Sequence, residues 1–327
     1  MRIDPRLSTA RMLKLLCALF PALLTIALAT QPGWAQETPA NMPIADLHFH
    51  PEVHRPPESF VAMFDKAGVR WAGSGERVGG PRVMQAYKEY FGDRYIQFGG
   101  QSFYGGLFDQ LGPDQVNSPA ILENAQFKDA YERIERALAS KRMVGIGELF
   151  VNNRITHPNA KRGIKLKLDG PAFRALFELV AKHEAFLTFH MEGDADSIAQ
   201  LETLAASNRQ GRIILNHCGV NAPAATIDLL LTRHSNLFCE ISSRYDPTIP
   251  GVLSRAVEMF DRFSIRSDWK AVIIKHADRF MVGTDASDDG AYARAINIVR
   301  HGLLANLPPE VAQAFAYGNA VRLFNLK

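Results

Sequence analysis

Ile44-Ala45-Asp46-Leu47-His48-Phe49-His50 is an apolar stretch that ends in two imidazoles two residues apart. A strand alternates its side chains between faces, so residues two apart point the same way. His48 and His50 are therefore expected on one face, with Asp46 beneath them. Four further apolar stretches end in a comparable way: Val144-Gly145-Ile146-Gly147-Glu148, Phe186-Leu187-Thr188-Phe189-His190, Ile213-Ile214-Leu215-Asn216-His217 and Phe280-Met281-Val282-Gly283-Thr284-Asp285. If the strands that carry them close into a barrel, six side chains converge on one point. Histidines and carboxylates gathered in this way build a hydrolytic metal site.

Outward from these stretches the chain alternates short apolar runs with amphipathic ones. Strands are expected at 43–50, 69–74, 94–99, 143–148, 185–190, 212–217, 236–241 and 280–285. Helical spacing lies between them. Phe127, Tyr131, Ile134 and Leu138 recur behind Asn124 as a cap, and Ile198, Leu201 and Leu204 follow Asp194. A third helix is expected over 223–234 behind Asn221, with Pro223 in its first turn. Eight strand-then-helix units make an α/β fold, a (β/α)8 TIM barrel, and Pro308 to Phe324 reads as one or two closing helices. Two connections are long. Gly100 to Glu123, with Phe103, Tyr104 and Phe108, reads as a lid or pocket wall. Leu149 to Gly170 carries Arg154, His157, Lys161, Arg162, Lys165 and Lys167, which fits an anionic substrate or a solvated loop equally well. Both follow strands and so belong to the catalytic face of a barrel.

The first 35 residues have the layout of a secretory signal peptide. Arg2, Arg6, Arg11 and Lys14 precede an uncharged run from Leu15 to Ala29, and Gly33-Trp34-Ala35 offers a small-x-small cleavage site. The run is shorter than the ~20 residues that span a membrane. Cleavage after Ala35 would leave residues 36–327 as one domain, with a periplasmic or secreted location and no stable membrane insertion. That portion has 33 basic and 33 acidic residues, so charge gives no basis for a nucleic-acid or anionic-membrane partner. Homo-oligomer formation stays open. Two cysteines remain, Cys218 and Cys239, on strands expected to be neighbours. The first lies past a strand end and the second inside a strand, which favours two buried thiols over a bridge.

Asp46-x-His48-x-His50 resembles the opening motif of the amidohydrolase superfamily. His190, His217 and Asp285 stand at the ends of the fifth, sixth and eighth expected strands, where that superfamily keeps its remaining ligands. Trp269-Lys270, then Ala277-Asp278-Arg279-Phe280-Met281-Val282-Gly283-Thr284-Asp285, is similar to the end of its amidohydrolase-related metal-dependent hydrolases. Gly318-Asn319-Ala320 before Leu323-Phe324 is similar to their closing helix. The likeness runs from about residue 43 to residue 327, and its strength lies in the ordered set rather than in any one motif.

The resemblance implies a divalent metal, expected to be zinc, with manganese or iron as alternatives, in one or two ions. His48, His50 and Asp285 would hold one ion. His190 and His217 would hold a second, with Glu148 bridging, in place of the carboxylated lysine of some branches. Asp285 would take the proton of the water and pass it to the leaving group. In the one-ion alternative His190 is a ligand, His217 an electrophile to the substrate and Glu148 a bystander.

The implied activity is a secreted metal-dependent hydrolase acting on an ester, lactone or amide-type bond of a small molecule. A one-metal non-oxidative decarboxylase and a non-catalytic periplasmic binding protein are the alternatives. Substrate-binding expectations fall on Arg244, for a carboxylate, and on Tyr245, Asn152, Asn153, Phe103 and Tyr104. Each site residue also has a plainer reading alone: a core histidine, a paired strand-end acid, or, for Asp285, the cap of a helix near Asp288. What outweighs these is six such residues on five strands, all at the same end. His54, His157, His183, His234, His276 and His301 fall in loops or helical stretches and are read as ordinary polar residues.

Overall fold

A computed structural model describes residues 37–51, 55–74, 80–155, 163–244, 259–261, 264–286 and 288–327. The expected leader, His54, His157, Lys161, Arg162 and Tyr245 lie outside the described residues. The strands are β1 (Ile44–Asp46), β2 (Val69–Ser74), β3 (Tyr95–Gly99), β4 (Gly145–Asn152), β5 (Phe186–Met191), β6 (Arg212–Asn216) and β7 (Leu237–Glu240). A short antiparallel pair, β8 (Phe260–Asp261) and β9 (Ser264–Ile265), precedes β10 (Phe280–Met281). Seven strands and β10 form one sheet in chain order, β1 through β7 and then β10. Asp46 pairs in parallel with Val282, and Phe49 with Ala286, so the ends of the sheet meet. The fold is the expected eight-stranded parallel barrel.

Around it lie α1 (Pro57–Ala67), α2 (Gly80–Phe91), α3 (Gln101–Val116), α4 (Ala125–Ala139), α5 (Pro171–Lys182) and α6 (Ala195–Ser207). They are followed by α7 (Ala224–Arg233), α8 (Ser267–Lys275), α9 (Asp289–Ile298), α10 (Pro309–Gln313) and α11 (Asn319–Phe324). Strand alternation sorts the apolar residues into two layers. Ala45, Leu47, Ile96, Phe98, Phe186, Ile214, Phe238 and Met281 pack together with Ala320 and Phe324 of α11, which plug the barrel. Their chain neighbours Ile44, Leu187, Ile213, Cys239 and Phe280 belong to the layer under the helices. Asn319 fastens the plug by donating to the carbonyls of Ala277 and Phe280.

Capping follows the sequence at two of three expected helices. Asn124 Oδ1 accepts from the amides of Gln126 and Phe127, and Asp194 from Ser197. Before α7, however, Pro223 occupies the cap position, while Asn221 Oδ1 accepts from the amide of Gly193 instead. Over 100–123 the chain is largely helical: α3 packs Tyr104 fully buried against Phe108 and Phe127, and Arg133 lies over Phe103.

The two cysteines form a disulfide, Cys218–Cys239, across a Cα–Cα distance of 4.8 Å. The expectation of separate thiols, drawn from Cys218 lying past a strand end, is corrected: the backbone turns left-handed at His217 (φ 53°) and Cys218 (φ 48°), which swings Cys218 to the neighbouring strand. With its ends 21 positions apart in sequence, such a bridge stabilises the fold by about 3 kcal/mol in a chain-entropy account.

Candidate metal centre

All six expected residues meet at the C-terminal ends of the strands. Glu148 is the hub. Its Oε1 lies 3.1 Å from His217 Nε2 and 3.5 Å from His190 Nδ1, and its Oε2 lies 3.3 Å from His48 Nε2 and 4.0 Å from His50 Nε2. Asp285 Oδ1 sits 2.7 Å from His50 Nε2 and 3.7 Å from His48 Nε2. Two triads could each hold an ion, His48–His50–Asp285 and His48–Glu148–His217, each with ligand atoms within 4.8 Å of one another. His48 belongs to both.

Local backbone makes this convergence possible. Gly147 (φ 121°) precedes Glu148 at an irregularity in the β4–β5 pairing, and a Cβ there would strike the Thr188 carbonyl. His217 and Asp285 are both left-handed, at φ 53°. Such conformations cost about 1–3 kcal/mol each and cluster where function demands them. Asp285 is not a helix cap: Asp288 holds that place, accepting from the amide of Ala291.

The expectation that Asp46 lies beneath the histidines is corrected. Regular pairing of β1 stops at Asp46, so the alternation rule no longer carries through to His48. The Asp46 carboxylate instead accepts from Tyr292 of α9 (2.8 Å), from Thr284 Oγ1 (2.8 Å) and from the amides of Thr284 and His48 (3.0 Å each). Burial is the largest influence on it and pushes its pKa up to about 6 against those hydrogen bonds. Asp46 thus locks the ends of β1 and β10 together, and with them His48 and Asp285.

Burial alone would also raise the pKa of Glu148. The charge of His48 and hydrogen bonds from His190 and His217 outweigh it and hold the carboxyl well below the usual range. For Asp285 the same opposition is won by the hydrogen bond from His50 and the charges of His48, His50 and His217. His48 is driven the other way: burial lowers its pKa, but Glu148 and Glu240 raise it well above the ordinary value. Two buried carboxylates, Glu148 and Glu240, therefore crowd one buried imidazole. A divalent cation fits that demand better, and His48 Nε2 is buried without a well-directed hydrogen bond, as a ligand atom should be.

Three residues of the site escaped the sequence reading. Glu240 Oε2 lies 2.8 Å from His48 Nδ1, and Ser242 Oγ donates to the same oxygen at 2.8 Å. His217 Nδ1 in turn donates to the Ser242 carbonyl at 3.1 Å. Asn216 also reaches His48 Nδ1, at 3.0 Å. These contacts fix both rings with Nε2 facing Glu148, the outer support a metal site requires. A signal for Glu240 existed: Leu237-Phe238-Cys239-Glu240 is another apolar stretch ending in an acid, with Glu240 on the inward face of Phe238. Gly283 makes room for it, since a Cβ there would meet its carboxylate. Glu240→Gln is expected to weaken metal binding about 10- to 100-fold, measured by metal titration. An unchanged affinity would reduce Glu240 to a packing residue.

Of the substrate-binding expectations, Arg244, Asn152 and Asn153 have partners within the fold. Arg244 is buried, with Nε donating to the His217 carbonyl (2.7 Å) and Nη2 to those of Cys218 (3.2 Å) and Ala222 (2.7 Å). Its guanidinium lies over Trp269. Asn153 exchanges hydrogen bonds with Ile164, and Asn152 is tied to Asp194 and Ser197 at the start of α6. Among the remaining histidines, His183, His234 and His276 pair with Glu135, Glu202 and Asp228 away from the centre, as ordinary polar residues do.

Solved structures share this architecture. An amidohydrolase from Burkholderia multivorans with bound HEPES is 13% identical, with a TM-score of 0.54 over 87% of this chain and 99% of that one. A TIM-barrel protein from Bordetella bronchiseptica is 14% identical, with a TM-score of 0.56 over 87% and 99%. A 2,6-dihydroxybenzoate decarboxylase from Rhizobium is 11% identical, with a TM-score of 0.50 over 87% and 98%. At these identities the likeness is one of fold. A search of curated proteins found no match. A family model described as amidohydrolase matches residues 104–326, which takes in Glu148, His190, His217 and Asp285. Matched over the larger part of its length and folded as that family folds, the chain belongs to the amidohydrolase family of metal-dependent enzymes.

Proposed function

We propose that this enzyme is an exported hydrolase that uses a divalent ion and water to cleave an ester, lactone or amide-type bond in a small molecule. The observation that carries the reading is the pair of triads sharing His48. His48, His50 and Asp285 would hold one ion, and His48, Glu148 and His217 a second, with His190 3.5 Å from the same Glu148 carboxylate. Histidine and carboxylate donors without thiolate suit zinc, and accept manganese or iron. A bound ion of this kind lowers the pKa of its water toward ~7 and polarises the bond under attack.

The chain's own groups supply the rest. Asp285 is 25% exposed along its side chain, whereas Glu148 is 4% exposed. Asp285 therefore touches the ligand set and also reaches the mouth, and we assign it the proton transfer from water to leaving group. Ser243 Oγ holds its second oxygen at 2.6 Å. His217, with Nδ1 fixed on Ser242, turns Nε2 inward, where it can serve as ligand or as electrophile. A decarboxylase would need a cationic clamp for the substrate carboxylate, and Arg244 is committed to main-chain carbonyls. Export rests on the signal-peptide layout of residues 1–35, and the disulfide is in keeping with an oxidising compartment.

The test is elemental analysis of protein purified without chelators, followed by a panel of esters, lactones and amides. One to two metal equivalents and metal-dependent turnover are expected; full activity without metal would overturn the proposal. Glu148→Ala separates one ion from two. With a bridging carboxylate, occupancy should fall from near two equivalents to near one, and activity should fall steeply. If wild type never exceeds one equivalent and Glu148→Ala leaves that content unchanged, the one-ion arrangement with His217 as electrophile stands instead.

A further inference from the structure

The chain leaves β6 through four successive left-handed residues: His217 (φ 53°), Cys218 (48°), Gly219 (72°) and Val220 (42°). Glycine takes this conformation freely, whereas a β-branched residue is among the least suited to it. The run has a geometric result. Asn216 already faces the barrel interior, with its amide on His48 Nδ1. A continuing strand would send His217 to the opposite face. The left-handed step brings His217 inward as well, so that two consecutive residues both reach the site.

Strained backbone of this kind persists only where its surroundings over-determine it. Two restraints do so here, and both act on the main chain rather than on the imidazole. Arg244 gathers the carbonyls of His217, Cys218 and Ala222 with one guanidinium, itself held over Trp269. The Cys218–Cys239 disulfide ties the second residue of the run to β7, and the Cys218 amide donates to the Glu240 carbonyl at 2.8 Å. We infer that Arg244 and the Cys218–Cys239 disulfide are a positioning clamp that holds His217 in its left-handed backbone, from which Nε2 reaches Glu148. The inference rests on the metal-centre reading for its consequences, but not for its geometry.

Two double variants of the full-length protein separate positioning from simple stabilisation. Cys218→Ala with Cys239→Ala removes the bridge and leaves a residue that resists the left-handed region. Cys218→Gly with Cys239→Ala removes the bridge and the resistance together. The alanine pair should bind zinc about 10- to 100-fold more weakly than wild type. The glycine pair should return to within about threefold of wild type, although its unfolding temperature stays below that of wild type because the bridge is gone. Arg244→Lys, which cannot gather three carbonyls, should weaken binding in the same direction. If both pairs lose stability alike and keep wild-type zinc affinity, or lose both alike, the clamp is only a staple and the inference fails. If wild type binds no zinc, the metal reading fails separately. The clamp is then judged on 15N shifts of the His217 ring, which should change in the alanine pair and revert in the glycine pair.

Discussion

Asp285→Asn is expected to lower turnover by about 10²- to 10⁴-fold, the usual contribution of a positioned acid–base group. The substitution is well matched to its place. Asp285 has φ 53°, and asparagine tolerates the left-handed region better than most residues, so the backbone can stay. The amide oxygen can still accept from Ser243 Oγ, which reaches Oδ2 at 2.6 Å. What is lost is the anion, and with it the ability to carry a proton. Metal content should fall only in part, because His48, His50, Glu148, His190 and His217 are untouched. There is also a stability effect with a definite sign. The folded pKa of Asp285 is depressed, so the native carboxylate stabilises the fold above the unfolded pKa of about 3.9 and loses that contribution as pH falls. The variant should therefore be less stable than wild type near neutrality and converge with it in acid. Steady-state kinetics, metal analysis and thermal unfolding across pH check each part. A near-native rate would leave Asp285 as a partner of His50 and nothing more.

Much of this molecule could be read before its coordinates. Each barrel strand overlaps its expected span because the strands are short apolar runs bounded by breaks, a pattern that survives tertiary context. The six site residues were legible for the same reason: a polar residue ending an apolar strand must find partners at one end of the barrel. What stayed hidden depended on where alternation stops. Alternation puts Asp46 and His48 on one face, yet the regular strand is interrupted between them, and Asp46 turns to Tyr292. Cys218 leaves the line of β6 through a left-handed backbone that strand periodicity does not foresee, and so meets Cys239. No local pattern announces a non-glycine residue at positive φ, since the constraint comes from distant groups such as Arg244.

Arg244 itself shows a second limit. A cation after a strand suits a substrate carboxylate, and only the structure reveals that the loop's own carbonyls occupy it. Glu240 shows a third. Its stretch fits the same rule that found Glu148, but its partner is an imidazole already assigned to the metal, and spacing does not rank acids that share one histidine.

His48 carries the other large prediction, because it alone stands in both triads. His50→Ala removes one ligand from one group, and His217→Ala one from the other. His48→Ala removes one from each, so stoichiometric metal binding should disappear and turnover should fall to background. The variant should also be less stable than its neighbours' variants. Glu148 and Glu240 both lie against His48, at 3.3 Å and 2.8 Å, and are 4% and 1% exposed. In the metal-free protein, deleting one partner of a buried charge pair leaves the other uncompensated, at a cost of about 3–5 kcal/mol. A second change distinguishes that cost from loss of ligation. Adding Glu240→Gln to His48→Ala removes one orphaned charge, so much of the lost stability should return while metal content stays near zero. Thermal unfolding and elemental analysis of the single and double variants read the two effects apart. If His48→Ala keeps its metal, the triads are not the ligand sets and the cluster is a buried ion-pair network. If the double variant regains no stability, the His48–Glu240 contact is not a charge pair, and Glu240 supports the site by packing.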